Sequence, residues 1–148
     1  MFLAGCQYSA NADRFLNEKP SVDRIVGNYT LREQSVYLEK PSHDFSRSSI
    51  LLRTDYTCVL VEYPLWDETL AQHQSIPNFY TGPGKFSIKQ TGMVSGLPND
   101  KPCFGVLIEI PGKPAMRFTF ANHGAKLELV NEFGDPDQWI FTCWIKES

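Results

Sequence analysis

Short runs in which apolar and polar residues alternate recur along most of the chain. In residues 84–92 (GKFSIKQTG), Phe86 and Ile88 alternate with lysine and serine, and in residues 103–110 (CFGVLIEI) every second residue from Phe104 is apolar. A period of two places successive side chains on opposite faces of a β-strand. The pattern therefore predicts strands with one buried and one exposed face.

Further strands are predicted wherever alternation or β-branched and aromatic residues recur between turn residues. The run 48–63 contains two such segments hinged near Thr54 and Asp55, which is a hairpin pattern, with Tyr56 where glycine is more usual. Gly134-Asp135-Pro136-Asp137 predicts a turn near the end of the chain. The other predicted strands fall within residues 23–31, 115–121, 125–130 and 138–147.

These eight or nine short strands predict an all-β fold with at most one short helix. The candidate helix is REQSVYLEK (32–40), which Pro41 would end. A meander of this kind closes into a barrel or folds into a sandwich, and closure leaves no exposed strand edge. We therefore predict a single antiparallel up-and-down β-barrel over residues 23–148. The long connection 64–81 holds Trp66 and is predicted to be a lid or a loosely ordered loop.

Composition and charge narrow the functional classes. The chain has 148 residues with 14 basic and 17 acidic side chains, and the basic residues are scattered rather than clustered. A nucleic-acid partner is not expected, because phosphate binding needs grouped cations. No apolar stretch approaches the ~20 residues of a membrane-spanning helix, so a soluble domain is expected.

The first residues, MFLAGCQYSANAD, contain the order Leu3-Ala4-Gly5-Cys6, which resembles the lipobox of bacterial lipoproteins. Lipid attachment at Cys6 would anchor the protein to a membrane, and the polar stretch from Gln7 to Arg14 has the composition of a flexible tether. We accordingly interpret residues 1–22 as a signal remnant and tether. A signal also needs an apolar region of 7–15 residues, so this interpretation requires more sequence before Met1; the alternative is a chance match.

Several segments together resemble a family of small bacterial lipoproteins with a lipocalin-like β-barrel. The characteristic parts are Gly27-x-Tyr29 in IVGNYTL, the segment SRSSILLRTDYTCVL, the strand GKFSI, and the terminal FGDPDQWIFTCWIKE with its GDPD turn. The resemblance covers about Ile25 to Lys146. It implies a barrel in the bacterial cell envelope, facing the periplasm from one of its membranes, and it implies no particular activity.

Candidate catalytic and metal-binding groups do not form a recognisable pattern. His43, His73 and His123 are far apart in predicted loops and lack metal-ligand spacing. The predicted loop Gly82-Pro83-Gly84 precedes a strand, whereas phosphate-binding loops precede a helix. We therefore expect no enzyme activity, no metal and no cofactor.

The cysteines leave one question open. If Cys6 carries lipid, Cys58, Cys103 and Cys143 remain, so at most one disulfide can form among them. Cys58 and Cys143 lie in strand-like runs, where cysteine more often behaves as a small buried apolar residue.

Two functions remain from different classes. An eight-stranded barrel has room either for its own side chains or for one small ligand. In the first hypothesis, Trp66, Phe86, Phe104, Phe118 and Phe120 line a site for a small apolar ligand. In the second, the aromatic residues fill the barrel, and the outer surface binds an envelope protein, as an immunity or inhibitor protein would.

Overall fold

The strands close into one barrel. The computed structural model describes residues 12–34, 45–65, 78–94, 100–133 and 140–148. Within these ranges, eight antiparallel strands neighbour one another in sequence order, and the last pairs with the first. They are β1 (Gly27–Gln34), β2 (Ser49–Leu52), β3 (Thr57–Pro64), β4 (Phe79–Val94), β5 (Lys101–Glu109), β6 (Met116–His123), β7 (Lys126–Phe133) and β8 (Ile140–Lys146). The predicted all-β up-and-down barrel is confirmed.

Short helical segments accompany the strands. The α-helix α1 (Val22–Ile25) comes just before β1, and 3₁₀ turns occur at Ala12–Arg14 and Phe45–Arg47. The first strand therefore starts at Gly27, later than the prediction of a strand over 23–31. Arg32 lies in β1 instead of starting a helix, and residues 35–40 of that candidate helix lie outside the described residues.

The predicted loop at Gly82-Pro83-Gly84 is wrong, because these residues lie inside β4. Pro83 pairs with Val59 of β3, and Gly84 pairs with Cys58. The residue before a proline favours extended backbone, so a proline is compatible with a strand where its missing N–H is not needed. Glycine and proline here accompany an unusually long strand, which pairs first with β3 and then with β5.

The predicted β2–β3 hairpin is confirmed. Tyr56 adopts a left-handed backbone conformation, in which glycine is more usual. Its φ is 63°, and its N–H donates to the carbonyl of Arg53 at 3.2 Å. Asp55 Oδ1 accepts hydrogen bonds from the Thr57 hydroxyl and backbone N–H at 2.6 and 3.0 Å. These bonds hold the pKa of Asp55 below its ordinary value.

A bulge in β3 changes which side chains enter the barrel. The β3–β4 register shifts between Leu60 and Tyr63, and Glu62 has a φ of 42°. The Ser48 hydroxyl donates to the Glu62 carbonyl at 2.6 Å, and the Glu62 N–H donates to Thr81 Oγ1 at 2.9 Å. Leu60 and Tyr63 therefore both point inward, which strict alternation would not allow.

The core occupies the inside of the barrel, and α1 contributes Ile25 to it. The Tyr29 hydroxyl donates to the Ile25 carbonyl at 2.7 Å, and both residues are fully buried. The largest fully buried apolar side chains are Trp144, Tyr29, Phe118, Phe120, Ile25, Ile50, Leu52, Leu60, Ile108, Leu129 and Val106. Most of the inward positions of the strands thus contribute to one continuous core.

Gly27→Ala is expected to destabilise the protein by about 2 kcal/mol. Gly27 has a φ of 142°, a conformation that residues with a Cβ rarely adopt. An added Cβ would also lie 2.7 Å from Lys146 Cε, and Lys146 Nζ donates to the Arg24 carbonyl at 2.8 Å, at the end of α1. Chemical denaturation would measure the loss.

The double variant Gly27→Ala/Lys146→Ala separates the two causes. If backbone strain dominates, removing the lysine side chain leaves the additional loss caused by Gly27→Ala unchanged relative to Lys146→Ala alone. Equal stabilities of Lys146→Ala and the double variant would instead assign the effect to crowding against the lysine.

Candidate functional site

The predicted ligand-binding residues fall into three groups. Phe86, Phe118 and Phe120 are buried in the barrel core, and Phe104 is partly buried. Trp66 lies outside the described residues, as does Cys6. The structure thus brings three of the five aromatic candidates into one interior cluster.

Inside the barrel, aromatic side chains pack directly on one another. Tyr63 stacks on Trp144 with ring centroids 5.2 Å apart and an angle of 19°. Its other neighbour is Phe118, which it meets edge to face at 6.2 Å. These are the distances of aromatic pairs in protein cores.

The polar atoms of these side chains are satisfied within the barrel. Trp144 Nε1 donates to Thr142 Oγ1 at 3.0 Å, and Asn131 Nδ2 donates to the Tyr63 hydroxyl at 3.4 Å. Burial raises the pKa of Tyr63, so its hydroxyl remains neutral at physiological pH. Such internal pairing is typical of a packed core that contains a few polar groups.

The cysteines of the described chain are buried thiols that form no disulfide with one another. They are Cys58, Cys103 and Cys143. Burial raises the pKa of Cys58 to about 11, and burial also raises the pKa of Cys103. A thiol that stays protonated at neutral pH is a weak nucleophile.

A second cluster lies on the outer wall of the barrel and centres on Glu128 of β7. This carboxylate is 0% exposed, although it alternates with the inward residues Leu127 and Leu129 and so points away from the core. Arg14 Nη1 donates to its Oε2 at 3.0 Å. Arg32 Nη2 lies 2.8 Å and His123 Nδ1 3.3 Å from its Oε1. We call these four residues the Glu128 cluster.

Arg14 makes the best-formed contact of the Glu128 cluster, beside a second cation, Arg32, whose Nη2 lies 2.8 Å from Oε1. A buried carboxylate is tolerated only when it is paired, yet Oε1 accepts no hydrogen bond of good geometry from the described residues. Burial by itself lowers the pKa of the Arg14 guanidinium, but the hydrogen bond and the charge of Glu128, with a smaller effect of Cys143, outweigh that effect and raise it. Arg14 therefore contributes a well-formed, charge-assisted contact.

Arg14 belongs to a segment, Ala12–Asn17, that we call the strap. It fills a gap in the barrel wall, because the β5–β6 pairing ends at Gly105 and Thr119. Beyond that point, the Leu16 N–H donates to the Phe120 carbonyl at 2.9 Å, and the Phe104 N–H donates to the Leu16 carbonyl at 3.1 Å. Leu16 thus completes the backbone hydrogen bonding between the two diverging strands.

Side chains on both sides of Leu16 fasten the strap. Asn17 Nδ2 donates to the Pro102 carbonyl at 3.1 Å, and Arg14 Nη1 donates to the Asn122 carbonyl at 3.1 Å. The backbone of Phe15 forms an isolated antiparallel β-bridge with Ala121. Phe15 also packs on a small apolar cluster on the outer wall, formed by Ala121, Val130 and Cys143 together with Phe141. The strap therefore has an apolar and an ionic attachment.

Sequence reasoning did not find this second cluster. The alternation Leu127-Glu128-Leu129 correctly indicates an outward glutamate, but it carries no information about what covers that face. The sequence does contain one indication that this segment packs on the barrel. In Arg14-Phe15-Leu16, two adjacent large apolar residues end an otherwise polar segment. His123, interpreted as a solvated loop residue, lies at the end of β6 beside Glu128.

Comparisons with known proteins identify no relative of the chain. No protein-family model, curated protein or solved structure matches the chain. Within the described ranges, no helix has the length and apolar character needed to cross a membrane. In the same part of the chain, no group of His, Cys, Asp or Glu side chains is arranged to hold a metal ion.

Proposed function

We propose that the protein is a non-enzymatic lipoprotein of the bacterial cell envelope whose filled barrel is a rigid scaffold for binding another protein. The observation that carries this proposal is the packing of the interior. Fully buried Trp144, Phe118 and Phe120 occupy inward positions, and Tyr63 packs between two of these rings. A barrel filled in this way binds its partners through its outer wall or its loops.

A small apolar ligand inside the barrel is the weaker proposal. An eight-stranded barrel is just wide enough for its own side chains or for one small ligand. A ligand among Phe86, Phe118 and Phe120 would have to displace side chains that belong to one buried cluster, and displacement from a close-packed core is unfavourable. Buried polar groups of the barrel are also already paired, Asn131 with Tyr63 and Trp144 with Thr142.

Titration with apolar probes distinguishes a filled barrel from a barrel that binds an apolar ligand. Fluorescent fatty acids, retinoid-like probes and a hydrophobic dye are added to the wild-type chain and to Trp66→Ala, with Trp fluorescence and dye emission as readouts. We expect no saturable binding below about 100 µM, because side chains packed to the density of a protein core leave no pocket for a probe. Saturable micromolar binding that Trp66→Ala weakens without lowering the melting temperature would refute the filled-barrel proposal.

Membrane anchoring is tested separately through Cys6. With a complete secretion signal in front of the chain, the wild type is expected to sediment with membranes and to be released by detergent, whereas Cys6→Ser is expected to remain soluble. Lipid chains contribute ~0.8 kcal/mol per buried CH₂, so several chains anchor firmly. Gln7→Ser, the neighbouring substitution, serves as the control. Equal solubility of the wild type and Cys6→Ser would exclude the lipid anchor.

A further inference from the structure

The groove under the strap has the features of a binding site for an extended peptide. Its floor is the gap between Phe104 and Phe120, where each strand directs a backbone group at Leu16. Peptides that complete a β-sheet bind through such main-chain hydrogen bonds and gain specificity from pockets for their side chains. The strap uses both kinds of contact, because Leu16 is buried in the barrel core and Phe15 packs on the outer apolar cluster.

Charge adds a further element of recognition. Glu128 is fully buried beneath the strap, whereas the side chains of Arg14 and Arg32 are each 28% exposed. If the strap leaves, Glu128 loses its contact with Arg14 and keeps Arg32 and His123 as neighbours. An arriving segment with an arginine in the same place restores the charge-assisted hydrogen bond.

We propose that this groove is a binding site for an extended segment of a partner protein with an arginine followed by an aromatic and an aliphatic residue. The strap, with Arg14-Phe15-Leu16, occupies the site in the free protein and must leave before the partner binds. This inference rests on the proposed function, since it names the surface through which a filled barrel recognises its partner. The partner is thereby a polypeptide, recognised by backbone pairing, two apolar side chains and one cation.

A peptide with the sequence of residues 12–18, ADRFLNE, tests the site on the full chain. Fluorescence anisotropy compares the wild type with Phe15→Ser/Leu16→Ser, which weakens the strap and leaves the residues of the groove itself unsubstituted. We expect the variant to bind the labelled peptide at least about tenfold more tightly than the wild type, because the competing strap has lost its apolar contacts. A peptide of the same composition in scrambled order should not bind.

Glu128→Gln in the strap-weakened background should reduce peptide affinity about tenfold, since it removes one charge-assisted contact. Glu109→Gln, an exposed glutamate on β5, is the control and should leave affinity unchanged. A folded variant that binds no peptide overturns the proposal. Concentration-dependent dimers that exchange straps also overturn it, because the occupant would then be a second copy of the chain.

Hydrogen exchange of the wild-type protein tests the same proposal if the strap-weakened variant does not fold. Excess peptide should accelerate exchange of the Leu16 amide, whose strap is displaced, while the Phe104 amide stays protected because the peptide accepts its hydrogen bond. Unchanged exchange at Leu16, or exchange of both amides only on global unfolding, overturns the proposal. Binding of apolar probes within the barrel would refute the proposed function alone, so the two failures are distinguishable.

Discussion

Phe118→Ala is expected to lower the free energy of unfolding by about 3–5 kcal/mol, the range for removing a fully buried phenylalanine. Phe118 is 0% exposed, and its ring meets Tyr63 edge to face. Its removal leaves a cavity bounded by strands of a closed barrel, whose wall cannot easily collapse inward because every strand is paired on both sides. Urea or guanidinium unfolding followed by circular dichroism measures the loss.

Phe104→Ala is the control for the loss at Phe118. Phe104 is only partly buried, so its substitution should cost clearly less. The same two variants bear on the proposed function, since a cavity at residue 118 should admit small apolar probes that the wild type excludes. A Phe118→Ala protein as stable as the wild type would show that the ring faces a pocket rather than a packed core.

Gly105→Ala is expected to destabilise the protein by at least ~3 kcal/mol, at or above the usual range for overpacking. A Cβ at this position would overlap the Phe118 carbonyl oxygen and would lie 2.7 Å from the Phe118 carbonyl carbon and 2.8 Å from Thr119 Cα. All of these atoms belong to the β6 backbone, which cannot rotate away as a side chain would. The two strands must separate at the point where they diverge around the strap.

Gly92→Ala provides a matched comparison in a neighbouring strand. Its Cβ would meet only the Cys103 sulfur, at 3.4 Å, so the change should be neutral or stabilising by up to about 1 kcal/mol, because alanine orders at a lower entropic cost than glycine. Thermal melts of the two variants side by side check both expectations. A Gly105→Ala protein that melts with the wild type would mean that β5 and β6 tolerate wider separation, which weakens the case for a tightly formed gap at Leu16.

Much of the fold was predictable because it depends on local pattern. The alternation in 84–92 and 103–110 and the hairpin around Asp55 and Tyr56 each correspond to strands or turns of the structure. Period-two burial, turn residues and the absence of a long amphipathic helix are properties of short segments, and they are enough to indicate a closed meander. The predicted interior residues Phe86, Phe118 and Phe120 follow from the same alternation.

Other features depend on contacts between distant parts of the chain. The bulge at Glu62 brings Tyr63 into the barrel through hydrogen bonds from Ser48 and to Thr81, which no local pattern reveals. Glycine and proline predict a loop at Gly82-Pro83-Gly84, yet pairing with β3 keeps that segment in a strand. Tertiary pairing outweighs the weak local preference in such cases.

By itself, the sequence determined where most of the strands lie, that they are numerous enough to close, and which of their residues face inward where no bulge intervenes. Only the tertiary structure decided that the interior aromatic residues pack on one another, and that Glu128 on the outer face is buried. The reason is physical: alternation reports the face on which a side chain lies, whereas burial depends on what covers that face. For Glu128 the covering residue, Arg14, is 114 positions away.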